Sequence, residues 1–139
     1  MTSRVLCRAA LPAVAAALLT VISSPAIAKR HPSVLREISA LEDRRSTGDG
    51  RLASLLQDDQ AETRAAAARA LGRIGRSEGV TPLLARLHDS NEQVRAEVIF
   101  ALGQIGNGDA RDALVRVAGS NGPAAERAAA VIALGKLSG

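Results

Sequence analysis

Aromatic side chains are almost missing from this chain of 139 residues, which has one Phe and neither Trp nor Tyr. No core or ligand groove can therefore rest on ring packing. There is a single cysteine, Cys7, so no internal disulfide can form and no cysteine cluster can hold a metal. Histidine occurs twice, at positions 31 and 88, too sparsely for a repeated metal-ligand pattern. Long apolar runs are also lacking, because the best one, "LPAVAAALLTVI" at 11–22, is too short to span a bilayer comfortably. Nor does charge of one sign accumulate: 18 Lys plus Arg are interleaved with 14 Asp plus Glu. A nucleic-acid binder usually shows a basic stripe or a readable motif, and neither is present. What is there is Ala, Leu, Val and Ile, the material of closely packed helices.

The start of the chain has the three parts of an export signal. Arg4 and Arg8 precede the apolar run, and Ala26 and Ala28 close "SSPAIA" in A-x-A spacing. The pattern predicts a signal peptide over residues 1–28, cleavage after Ala28 and an exported protein, periplasmic or secreted. An uncleaved N-terminal anchor is the alternative, and beyond it no membrane contact is expected. Cleavage would remove Cys7 and leave 16 basic against 14 acidic residues.

Residues 29–50 form an approach segment. Val34, Leu35, Ile38 and Leu41 fall on one helical face, which predicts a short helix beginning after Ser33 as N-cap. "RRSTGDG" comes next as a turn or linker. The short helix either covers the open end of the domain downstream or serves as a mobile tether.

Residues 51–139 repeat. Laying 51–75 over 82–106 aligns Leu52 with Leu83, Asp58 with Asp89, Arg64 with Arg95, and "ALGRIG" with "ALGQIG". A third unit begins with Leu114, takes a one-residue insertion near "SNGP", and ends in "ALGKLS". A period near 31 residues signals stacked supersecondary units. Each unit, 51–80, 81–110 and 111–139, contains a short helix, a polar turn and a longer second helix. The fold class expected is all-α, about three stacked helical hairpins. Gly75 and Gly106 stand where a helix stop favours a left-handed residue. Glycine inside a helix costs about 1 kcal/mol relative to alanine, so Gly72, Gly103 and Gly135 need a reason. The reason expected is close approach of each second helix to another backbone.

The D-x5-R spacing of Asp58/Arg64 and Asp89/Arg95, with the A-L-G-x-I-G ending, resembles the HEAT repeat family, in particular its phycobilisome-lyase-type HEAT-like repeats. That resemblance implies a short right-handed α-solenoid. It also implies an inter-repeat ladder in which turn aspartates and helix arginines pair, a role carried onto Asp58, Arg64, Asp89 and Arg95. The third unit departs from the pattern: Ser120 replaces the aspartate, Glu126 replaces apolar Val94, and Ser138 replaces the last glycine.

Catalysis is not expected. No His or Lys is placed beside a nucleophile, and His88 is followed by Asp89 with no second pair, so neither catalytic residues, cofactor nor metal are anticipated. His88 reads as a solvent-facing residue at a helix end, favoured there by the helix dipole. At 100° per residue, one face of the second helices carries Arg69, Arg73 and Arg76, then Glu97, Phe100 and Gln104, then Ile132 and Lys136. Phe100 either anchors a partner on this inner, concave face or tucks with Ile132 between helices. The function expected is a non-enzymatic protein-interaction scaffold. An accessory or degenerate relative of a HEAT-type enzyme subunit, such as a bilin lyase, is the alternative. The apolar last helix leaves two further readings, self-association through the C-terminal repeat or a frayed end.

Overall fold

The computed structural model describes residues 25–137, with side chains from residue 32 onward. Most of the expected signal peptide, Cys7 included, and Ser138 therefore lie outside the described residues. Seven α-helices and no strand make up the described chain: α1 Pro25–Asp43, α2 Arg51–Leu55, α3 Ala61–Ile74, α4 Val80–Leu84, α5 Glu92–Ile105, α6 Arg111–Ala118 and α7 Ala124–Leu137. Single 3-10 turns, Ser77–Gly79 and Gly108–Ala110, lead into α4 and α6. The pairs α2/α3, α4/α5 and α6/α7 are helical hairpins. Their long second helices stack in the order α3, α5, α7, with α1 packed on the far side of α3. The architecture is a short α-solenoid.

Equivalent leucines lock each hairpin. Leu52, Leu83 and Leu114 in the three first helices are each fully buried, and Leu71 and Leu102 join them from the second helices. Among the described residues no buried side-chain nitrogen or oxygen lacks a hydrogen-bond partner. Gly75 and Gly106 end α3 and α5 with φ of 74° and 70°, the left-handed stop that their spacing predicted.

Close approach explains two of the three helix glycines. A Cβ on Gly72 would lie 2.7 Å from the Ala101 Cα, and one on Gly103 2.7 Å from the Ala133 Cβ. Neither distance is tolerable between such atoms, so only glycine permits these crossings. Gly135 departs from the expectation: a Cβ there meets nothing within 4 Å. The difference is positional, because among the described residues no helix packs beyond α7.

The approach segment also differs from its sequence reading. α1 is already helical at Pro25, the first described residue, rather than starting after Ser33, and Pro32 lies inside it. The Ala, Lys and Arg that follow Pro25 are strong helix formers. They carry the helix through Ser33, which is an interior residue rather than the expected N-cap. The expected cleavage point after Ala28 thus lies within α1. The C-terminal half of α1 packs on α3 through buried Ile38 and partly buried Val34, Leu35 and Leu41.

Candidate functional site

The polar turns of the hairpins are joined by arginines. Arg64 of α3 grips Asp89 of the next turn with two parallel bonds, Nε to Oδ2 at 2.9 Å and Nη2 to Oδ1 at 2.8 Å. Its Nη1 meanwhile donates to the carbonyls of Asp58 and Asp59 in its own turn. One guanidinium therefore closes its own turn and clamps the next one. The Asp89 side chain is only 2% exposed, and its Oδ1 also accepts the Asn91 N–H. The Arg64 hydrogen bonds hold the Asp89 carboxyl below its ordinary pKa, against the opposing effect of burial.

Arg95 repeats the device with a different acid. Its Nη1 donates to the carbonyls of Asp89 and Ser90, while Nε and Nη2 reach Glu126 at 2.9 and 2.7 Å. The acid lost at Ser120 is thus supplied from the first turn of α7. Asp58, at the start of the series, accepts the Gln60 N–H and meets no arginine of a preceding unit among the described residues.

Second-helix residues form an open face on the other side. Phe100 is 45% exposed and Ile132 64% exposed, so neither is tucked between helices. Lys136 places its ammonium 5.1 Å from the Phe100 ring centre and donates to Gln104 Oε1 at 3.0 Å. A cation over a ring face is attracted by its quadrupole. Arg69, Arg73, Glu97, Phe100 and Gln104 line one shallow depression. Arg69 is ion-paired with Glu97, and Arg73 reaches Glu42 of α1 at 2.6 Å. Of the arginines that the helical period places on this face, these two are thus already paired within the chain. Arg76 does not join them. It lies past the Gly75 stop and lines a separate hollow with Thr47 and Glu78, because the left-handed residue turns the chain away.

A feature missed by the sequence reading sits between the second and third units. There a cavity of about 400 Å3 is lined by His88, Arg116, Val117, Ser120, Pro123 and Glu126, among others. Its signal was visible as Ser120 in place of aspartate and the one-residue insertion. His88 is exposed, as expected, but it lies in the turn beyond α4, which ends at Leu84, and not at the helix end. Among the described residues no group of three or more His, Cys, Asp or Glu is placed to hold a metal ion, and no helix is long and apolar enough to cross a membrane.

No curated protein matches the chain. The family model for HEAT repeats matches it twice, over residues 34–92 and 48–135, taking in the second part of α1 as well as all three hairpins. With the hairpin stack, the arginine clamps and most of its length matched, this chain belongs to the HEAT-repeat family.

Proposed function

We propose that this protein is an exported, non-enzymatic interaction module that binds a partner protein through the concave face of its second helices. The observation that carries this reading is Phe100. The chain's sole aromatic residue stands 45% exposed on an open helix face, with Arg69, Arg73, Glu97 and Gln104 lining the same depression and Lys136 over its ring. An apolar anchor ringed by polar and cationic groups has the layout of a binding hot spot. HEAT stacks commonly act as protein-interaction scaffolds, and the lack of a nucleophile–base arrangement argues against catalysis. The narrower likeness to phycobilisome-lyase-type repeats rests on the D-x5-R spacing and the A-L-G-x-I-G endings.

The test is a quantitative pull-down from the exported fraction with Phe100→Ala beside the unaltered chain. Phe100→Ala is expected to weaken capture of the partner at least about tenfold, with helicity and melting temperature unchanged. Equal capture by both forms overturns the surface assignment. Export itself is checked by intact mass, which should give a chain beginning at Lys29. A chain retaining Met1 in the membrane fraction overturns cleavage.

A further inference from the structure

Each second helix carries a stripe at i, i+4 and i+8: Arg64, Ala68 and Gly72 on α3, Arg95, Ile99 and Gly103 on α5, Arg127, Val131 and Gly135 on α7. The first two stripes are covered by the next unit along the stack. There the arginine takes Asp89 or Glu126, Ala68 and Ile99 are at most 1% exposed, and the glycine receives Ala101 or Ala133. On α7 the same chemistry is present and uncovered. Arg127 is exposed and ion-paired to no described residue, Val131 is 59% exposed, and the space beyond Gly135 is open. This edge is fitted to receive an acid and an alanine-bearing helix.

The chain also holds one spare recipient of that kind. In the first unit Asp58 corresponds to Asp89 and Ala70 to Ala101, yet no described arginine pairs with the Asp58 carboxylate. α1 packs on α3 there without supplying one. Its ion pairs, Glu37 with Arg51 and Glu42 with Arg73, lie at exposed or half-exposed side chains instead. The connection from α1 to α2 has four left-handed residues, Arg45, Gly48, Asp49 and Gly50. Two of them carry side chains, in a backbone conformation that persists only while the surroundings hold it.

We propose that a second copy of this chain occupies the α7 edge. Arg127, Val131 and Gly135 of one copy dock on Asp58 and Ala70 of the next, whose α1 swings aside about the Arg45–Gly50 connection. The contact continues the geometry already used twice inside the molecule. It is heterologous, so it propagates into open head-to-tail chains instead of closing on a dimer. Pairing of α7 with α7 is disfavoured by charge, since that helix exposes Arg127 and Lys136 and its one acid, Glu126, is held by Arg95. The proposal is independent of what the Phe100 face binds.

Sedimentation of the full chain across a concentration series tests it. Species larger than a dimer should appear as concentration rises towards about 1 mM. Arg127→Glu and Asp58→Lys should each weaken assembly at least about tenfold. Mixing these two variants should restore it, because both interfaces of the alternating chain then pair opposite charges. Gly135→Leu, whose side chain enters open space in the single molecule, should abolish assembly with helicity retained. Should Asp58→Lys fold poorly, Asp58→Asn keeps the acceptor for Gln60 while removing the charge, and is expected to weaken assembly. A chain that stays monomeric throughout overturns the proposal, and so does assembly indifferent to either substitution at Asp58.

Discussion

Three glycines of one motif have two different fates, and the difference is measurable. Gly72→Ala or Gly103→Ala would drive a methyl into the backbone of the next helix, an overpacking that should cost about 1–3 kcal/mol. Gly135→Ala meets nothing and should be neutral or stabilise by up to about 1 kcal/mol, since alanine is the better helix former. Urea midpoints of the three variants give the comparison, and a loss at Gly135 equal to that at Gly72 would contradict it. Asp89 offers a second residue-level test. Its carboxyl is lowered in the folded state, chiefly by Arg64, so it binds a proton less readily folded than unfolded. The stability it contributes is therefore full above the unfolded value near pH 4 and is lost as pH falls through the lower folded value. Asp89→Asn should flatten that acid limb of the stability profile. Arg64→Ala, which leaves the buried Asp89 carboxylate only the Asn91 N–H and the more distant Arg86 at 3.9 Å, should cost about 2 kcal/mol at neutral pH.

At the scale of the element, helix starts differ more than helix stops. α5 begins with Asn91, whose side-chain oxygen accepts the N–H groups of Gln93 and Val94 at 2.9 and 3.3 Å. α3 begins at Gln60 with nearly the same backbone angles but no side-chain cap. Its turn is secured instead by Asp58 and by the Arg64 guanidinium. Asn91→Ala should therefore destabilise by about 1 kcal/mol, read as a shift in the thermal midpoint, whereas Gln60→Ala should change it little. Equal losses would show that the caps are not what distinguishes these two starts. The α6–α7 turn is the irregular one. The cavity beside His88 is lined by Ser120, Gly122 and Pro123 of this turn, and Glu126 keeps the clamp on Arg95 although the aspartate is missing.

Over the whole molecule, contacts run from neighbour to neighbour along the stack. α5 packs between α3 and α7, while α7 has a partner on one side only among the described residues. Stability in such an array is close to a sum of unit and interface contributions. Backbone amides of α5 should thus exchange most slowly, with α1 and α7 opening first. Hydrogen-exchange mass spectrometry reads this directly, and protection in α7 equal to that in α5 would count against it. Arg73→Glu should raise exchange in α1, because it sets two acids, positions 73 and 42, against each other. For the same reason, any effect of that substitution on partner binding must be separated from release of α1.

Periodicity alone determined the hairpins, their number, the left-handed stops at Gly75 and Gly106, and the leucines of the core. These are local patterns, repeated along the chain, and repetition makes them legible. The face bearing Phe100 was legible too, because a helix of known period assigns each residue a direction. What the sequence could not decide were matters of partnership across the stack. Which acid would answer Arg95 once Ser120 had replaced the aspartate, and that Arg69 and Arg73 were already paired, depended on side chains 28 to 31 residues apart, and whether Phe100 stood open depended on how α7 packed beside α5. Tertiary structure also separated Gly135 from its two counterparts. The same residue in the same motif is a necessity where another helix packs on it and an open site where none does, and only the packing of neighbours makes that distinction.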